Sequence, residues 1–169
     1  MPAIEIPVPE RFRSEAYLEV LASQDSSQHC VFSASALQNM QDIAATGYPD
    51  EVCGLLVGTA NTEGWQVIEV RQVDNINQER AADRFQLDPA GYQAIDSELR
   101  GTGQEIIGVF HSHPDCPAKP SPTDLSSAWE GFVYPIVSVV QGQVAEVHCW
   151  VLTDDAQMGG KFQKLPHHT

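Results

Sequence analysis

The chain has 169 residues, 42% of them hydrophobic, which suits one domain with a sizeable core and requires no second one. Its formal net charge of −14, with 9 Lys and Arg against 23 Asp and Glu, argues against a general nucleic-acid or anionic-membrane binder, because phosphate-bearing surfaces reward clustered cations. Met1-Pro2-Ala3-Ile4-Glu5-Ile6-Pro7 is not a basic segment followed by an apolar one, and no run approaches the roughly eighteen apolar residues of a membrane helix, so the reading is a soluble cytoplasmic protein.

In chain order, Glu10 to Ala22 can form a helix using Phe12, Ala16, Tyr17, Val20 and Leu21, within an N-terminal extension (residues 1 to 30) whose packing is open. Ser33 can cap a helix on which Leu37, Met40 and Ile43 or Ala44 recur on one face, ending near Gly47 and Pro49. Val52 to Gly58 and Gln66 to Val73 read as neighbouring strands joined by the polar turn Asn61-Thr62-Glu63-Gly64. Arg71 to Asp88 is polar and reads as a loop with a short strand at Phe85 to Leu87. Asp88-Pro89 opens a second helix carrying Tyr92, Ile95 and Leu99, closed by Arg100-Gly101. Ile106-Ile107-Gly108-Val109-Phe110 reads as a buried strand running into His111-Ser112-His113-Pro114. Tyr134 to Val140 and Ala145 to Leu152 are two further strands across a hairpin-like turn at Gln141-Gly142-Gln143. The C-terminal tail, residues 154 to 169, ends in Pro166-His167-His168-Thr169 and is expected to fray.

The chemistry concentrates around the two histidines. Residues at i and i+2 of a strand face the same side, so His111 and His113 can share one metal ion. Asp124 follows across a stiff loop containing Pro114, Pro117, Pro120 and Pro122, and can supply a third ligand. Two imidazoles and one carboxylate leave a fourth position open on zinc, as in catalytic sites. Plainer readings exist: His-x-His recurs by chance in a chain with 6 His, and Ser121-Pro122-Thr123-Asp124 is also a capping box opening a helix from Leu125 to Trp129. The capping box and a site can coexist, because a capping serine and a first-turn aspartate are rigidly oriented. Upstream, Glu51 heads a nearly pure apolar strand and offers the non-ligand carboxylate that a zinc hydrolase needs for proton transfer. Its neighbour Asp50 reads as a solvated turn acid.

Taken together, Glu51, His111-Ser112-His113-Pro114, Ser121 and Asp124 resemble the complete signature of the JAMM metallopeptidases, also called the MPN+ domain. The resemblance covers residues 31 to 153. It implies an α/β fold, a single cytidine-deaminase-like domain with a mixed, mostly antiparallel sheet flanked by helices. It further implies that His111, His113 and Asp124 bind one zinc ion, that Glu51 is general base and acid, and that Ser121 steadies the tetrahedral intermediate. Nitrogen and oxygen ligands could hold other divalent ions at the same geometry. The short chain and the segments Ala128-Trp129 and Tyr134-Pro135-Ile136-Val137-Ser138-Val139 are similar to the bacterial stand-alone branch. That branch implies ubiquitin-fold sulfur-carrier proteins as substrates, cleaved after a C-terminal Gly-Gly to mature the carrier or release an amino acid such as cysteine. Assembly as a homodimer is left open. Asn75, Arg84 and the loop before Asp88 are candidates for the cleft.

Other readings are a non-catalytic MPN-type interaction module, a hydrolase of small peptides or amides with no carrier, and a DNA-associated protein. The intact signature speaks against the first and the charge of −14 against the last. Cys30, Cys53, Cys116 and Cys149 are scattered and expected to be reduced, with Cys53 and Cys149 packing as small hydrophobes. Cys116 lies in the proline-rich loop, as a variable loop residue or one able to modulate the metal region.

Overall fold

The computed structural model of the protein describes residues 3–169. A 3₁₀ turn (Glu10–Arg13) and α1 (Glu15–Glu19) precede β1 (His29–Phe32), α2 (Ala34–Gly47), β2 (Cys53–Asn61) and β3 (Gly64–Val73). There follow α3 (Pro89–Leu99), β4 (Glu105–Pro114), α4 (Pro122–Ser127), β5 (Val133–Val140), β6 (Gln143–Leu152), β7 (Phe162–Leu165) and β8 (His167–His168). The strands form one eight-stranded sheet in the order β7-β6-β5-β4-β2-β3-β1-β8. Pairings β2–β3, β2–β4, β5–β6 and β6–β7 are antiparallel, whereas β1–β3, β1–β8 and β4–β5 are parallel. The mixed, mostly antiparallel sheet expected from the sequence is therefore the architecture found. Among the described residues no helix is long and apolar enough to cross a membrane.

The apolar runs occupy the middle of the sheet. Leu55, Leu56 and Val57 of β2 and Phe110 of β4 are buried, and α2 lays Ala36, Met40 and Ala44 over the core that holds Leu56 and Phe110. Ser33 caps α2 as expected, its side chain accepting from Ala36 N at 3.1 Å. On another part of the sheet, Tyr92, Ile95 and Leu99 of α3 pack on Cys53, Leu55, Val73 and Ile106. Gly108 lets β5 approach β4 closely, since a Cβ there would stand 2.1 Å from Val133 O. The β5–β6 hairpin turns on Gln141 and Gly142, both at positive φ (50° and 83°), the geometry that follows the right-handed twist of paired strands. All four cysteines are free and buried.

Four expectations are corrected. The N-terminal helix from Glu10 to Ala22 is broken at Ser14, which is extended and accepts from Tyr17 N to start a separate five-residue helix. Beyond it the chain straightens, with Leu21 bridging Phe162. The short strand at Phe85 to Leu87 is only one isolated bridge, Asn75 to Leu87. The Asn75 side chain competes for the local backbone, donating to Arg84 O and accepting from Gln86 N. The helix after Ser121 stops at Ser127, two residues short of Trp129, with Ala128 already extended.

The expected frayed tail is instead paired into the sheet. β7 pairs with β6, placing Leu165 beside Cys149, and after Pro166 the same run pairs with β1 as β8, placing His167 beside Cys30. Cys30 N donates to Pro166 O at 3.0 Å across the join. One continuous segment thus supplies both ends of the strand order and covers edges of β6 and β1 that would otherwise be open to unwanted pairing. Phe162 and Leu165 are 1% and 2% exposed, so the segment is anchored by packing as well as by backbone bonds. Phe162→Ala is expected to destabilise the fold by about 3–5 kcal/mol, read as a lower urea midpoint at unchanged slope.

Candidate active site

Strand register assembles the site. Cys53 of β2 lies opposite His111 of β4 in an antiparallel pair, so Glu51, two residues earlier, falls level with His113, two residues later. Between them Val52 and Ser112 exchange bonds: Ser112 N donates to Val52 O at 3.0 Å, and Val52 N donates to Ser112 Oγ at 2.9 Å. The serine between the two histidines is therefore the clamp that holds the Glu51 segment, a role the sequence reading missed. Glu51 precedes the strand, which begins at Cys53. Its backbone is held on both sides, the N–H donating to Ala81 O at 2.6 Å and the carbonyl accepting from Asn75 Nδ2 at 2.9 Å. Asp50 is exposed, as expected, while Glu51 is buried.

The two imidazoles converge. His111 Nε2 and His113 Nε2 are 3.0 Å apart, and Asp124 Oδ2 lies 3.4 Å from the first and 3.7 Å from the second. The Glu51 carboxylate is within 4.8 Å of both histidine ligand atoms. His113 Nδ1 bonds to Pro117 O at 2.8 Å, which places its proton there and leaves Nε2 as a lone-pair donor. The loop supplying Pro117 is itself pinned, because Ala118 donates to Glu146 Oε2 and accepts from Trp150 Nε1. Asp115 turns the chain after Pro114 at φ 54°, and its carboxylate accepts from Tyr48 Oη at 2.6 Å.

Asp124 is placed by the expected capping box. It accepts from Ser121 N at 2.8 Å, while Ser121 Oγ accepts from Asp124 N at 3.0 Å. The plain and the functional readings of Ser-Pro-Thr-Asp therefore describe one structure: the cap aims the carboxylate at the histidines. Arg84 reaches the same helix, donating from Nη1 to Thr123 Oγ1 at 2.5 Å. Asn75, a candidate cleft residue, instead supports the loop by donating to Glu51 O and Arg84 O. Cys116 is buried, and its carbonyl accepts from Ser138 Oγ at 2.6 Å.

Charge balance shows what the cluster lacks. Burial pushes the Glu51 carboxyl up, only partly offset by His113 and His111. Burial alone would also raise Asp124, but His111 and His113 outweigh it and hold this carboxyl well below the usual range. Buried Glu51 and half-buried Asp124 face two imidazole nitrogens only 3.0 Å apart, an arrangement that a cation stabilises. Ligands about 2.0–2.1 Å from a tetrahedral ion stand roughly 3.4 Å apart, and the three separations of 3.0, 3.4 and 3.7 Å bracket that value. The residues fit a metal.

A family described as prokaryotic homologs of the JAB domain matches residues 33–153. The chain belongs to this family. It is a hydrolase of the JAMM type, as the curated relatives indicate. It is 36% identical to a desampylase of Haloferax volcanii over 106 residues, covering 62% of this chain and 73% of the relative. A CysO-cysteine peptidase of Mycobacterium tuberculosis is 26% identical over 127 residues, 75% of this chain and 84% of the relative. Among solved structures, a protein from Desulfitobacterium hafniense shares the fold at a TM-score of 0.70, with 23% identity over 83% of this chain and 92% of that one.

Around the JAB signature the structure adds neighbours with no sequence motif. His111 stacks on Phe85 with centroids 4.5 Å apart. Beside His111 and Asp124 opens a cavity of about 430 Å³ whose walls include Tyr92, Val109, Trp129, Phe132 and Phe162. No spacing rule marks these residues, because they come from five separate segments.

The buried Glu51 carboxyl has a consequence for stability. Folding raises its pKa, so the native state retains a proton that the unfolded chain has released, and the penalty grows as pH climbs above the unfolded carboxyl value. Glu51→Gln removes that charge. In metal-free protein the variant is expected to unfold at a higher urea midpoint than the wild type, with a wider gap at pH 8 than at pH 5.

Proposed function

We propose that this protein is a zinc-dependent peptidase that hydrolyses the bond following the C-terminal Gly-Gly of a ubiquitin-fold sulfur-carrier protein. The observation that carries the reading is the convergence of His111 Nε2, His113 Nε2 and Asp124 Oδ2 within 3.0–3.7 Å, with a buried carboxylate, Glu51, beside them. His111, His113 and Asp124 would hold the metal. Zinc, when bound, supplies a Lewis acid that activates water and polarises the scissile carbonyl.

The remaining steps belong to side chains. Glu51 takes a proton from water as the hydroxyl adds to the glycine carbonyl carbon, then hands it to the leaving nitrogen as the carbon–nitrogen bond breaks. Burial raises its carboxyl while Asp124 is held low, which makes Glu51 the stronger base of the two acids at the site. Ser121 Oγ accepts from Asp124 N, so its hydroxyl proton is free to donate to the developing oxyanion. A Gly-Gly tail has no side chains and can lie extended in a narrow cleft. The names of the relatives, desampylase and CysO-cysteine peptidase, support a substrate that is a small protein's C-terminal tail.

The test is intact-mass analysis of a sulfur carrier bearing one extra residue after Gly-Gly. Zinc-loaded wild type is expected to remove that residue, and Glu51→Gln to leave it in place. Ser121→Ala should stay folded and lose about 10²–10³ in kcat, the scale of one oxyanion donor. An intact carrier after incubation with zinc-loaded wild type, together with turnover of short free peptides, would overturn the carrier reading.

A further inference from the structure

His113 is held by a main-chain carbonyl, and the chain of hydrogen bonds continues beyond it. Its Nδ1 donates to Pro117 O at 2.8 Å, and the N–H at the other end of that same peptide group, on Ala118, donates to Glu146 Oε2 at 2.9 Å. A peptide group is planar and rigid, so an acceptor that fixes its N–H also fixes the direction of its carbonyl. In many metal sites a carboxylate takes the second nitrogen of a ligand histidine directly. Here the bonds run from imidazole to carboxylate with one peptide group interposed. Ala118 is 0% exposed, so an N–H deprived of Glu146 would be left buried and unpaired.

The sheet sets Glu146 in this place. It lies on β6 opposite Ser138 of β5, and residues paired across an antiparallel ladder share a face. Both side chains grip the loop after His113, Ser138 Oγ donating to Cys116 O at 2.6 Å and Glu146 accepting from Ala118 N. The loop has anchors besides Glu146: Ser138, the bond from Asp115 N to Val139 O and the bond from Trp150 Nε1 to Ala118 O. What Glu146 adds to them is charge. Its other oxygen accepts from His148 Nε2 at 3.2 Å. Burial pushes that imidazole below its ordinary value despite the adjacent carboxylate, so near neutral pH His148 donates without cancelling the negative charge. A charged acceptor on the N–H makes the carbonyl of the same peptide a stronger acceptor, because successive hydrogen bonds polarise one another.

We propose that Glu146 is a positioning residue for the metal centre: through the Pro117-Ala118 peptide group it fixes the Nδ1–H tautomer of His113 and, by its charge, strengthens Nε2 as a metal ligand. The proposal rests on the metal site of the peptidase reading above and is independent of the carrier substrate. No motif marks Glu146 in the sequence, because its role depends on the β5–β6 register and on the fold of the proline-rich loop.

The experiment uses the full-length protein and zinc alone. The zinc dissociation constant is measured by competition with a chromophoric chelator, and the His113 Nδ1–H is followed by proton–nitrogen NMR of the imidazole in zinc-loaded protein. Glu146→Ala is expected to bind zinc about 10–100-fold more weakly, the scale for outer partners of metal ligands, and its Nδ1–H to exchange faster with solvent. Glu146→Gln keeps an acceptor for Ala118 N without the charge, so it should retain the protected Nδ1–H and bind zinc with an affinity between the other two. Wild-type zinc affinity in either variant, or equal losses in both, would overturn the proposal. Should Glu146→Ala fail to fold, the near-isosteric Glu146→Gln still decides, since weakened zinc binding with a protected Nδ1–H supports the proposal and unchanged binding sinks it. A wild type that binds no zinc would remove the metal site and this proposal together, whereas a zinc-loaded wild type that leaves the carrier intact would remove the carrier reading alone.

Discussion

The alternation of side chains at the end of β4 is the constraint on which the site depends. Because successive strand residues face opposite sides, His111 and His113 bring their Nε2 atoms to 3.0 Å, while Ser112 turns the other way and exchanges bonds with Val52. One tripeptide therefore supplies two ligand atoms and the clamp that holds the neighbouring Glu51 segment. A slip of one residue in the β2–β4 register would turn Ser112 inward and both imidazoles outward, and would carry Glu51 out of reach. The buried core on both strands is what prevents that slip, with Leu55 and Leu56 on one and Phe110 on the other.

That geometry is costly without a cation. Two nitrogens and two carboxylates are packed where water is largely excluded, and His111 Nδ1 is buried with no hydrogen-bond partner. The surrounding structure offsets the cost by holding each group through backbone contacts: Pro117 for His113, the capping box for Asp124, Ala81 and Asn75 for Glu51. Such rigid support separates a site from a coincidental cluster of polar groups.

The C-terminal segment links this chemistry to the periphery. It pairs with β6 and with β1 at the two ends of the strand order, and its Phe162 also anchors the N-terminal segment and lines the apolar cavity. The two termini, both outside the family match, thus meet at β7 and converge on the active site. The family core supplies the site, and the termini of this chain shape its approaches.

Much of this was legible in the sequence, because the signals were local. Hydrophobic runs and caps marked α2, α3 and the central strands, and His111, His113, Ser121, Asp124 and Glu51 were identifiable from residue type and spacing, with the structure then bringing them together. The N-terminal helix was misread because periodicity cannot reveal that Phe12 has a better burial site against His113 than on a continuous helix face. The tail was misread because a four-residue strand and a two-residue strand carry too little pattern to announce a partner, and their stability comes from edges more than a hundred residues apart in the chain. The sequence by itself determined the set of chemical groups and the periodicity that puts them on one side of a strand. Only the tertiary structure decided the register that sets Glu51 beside His113, the packing of Phe12 against His113 and the pairing of the tail, because each of these is a contact between segments that share no local signal.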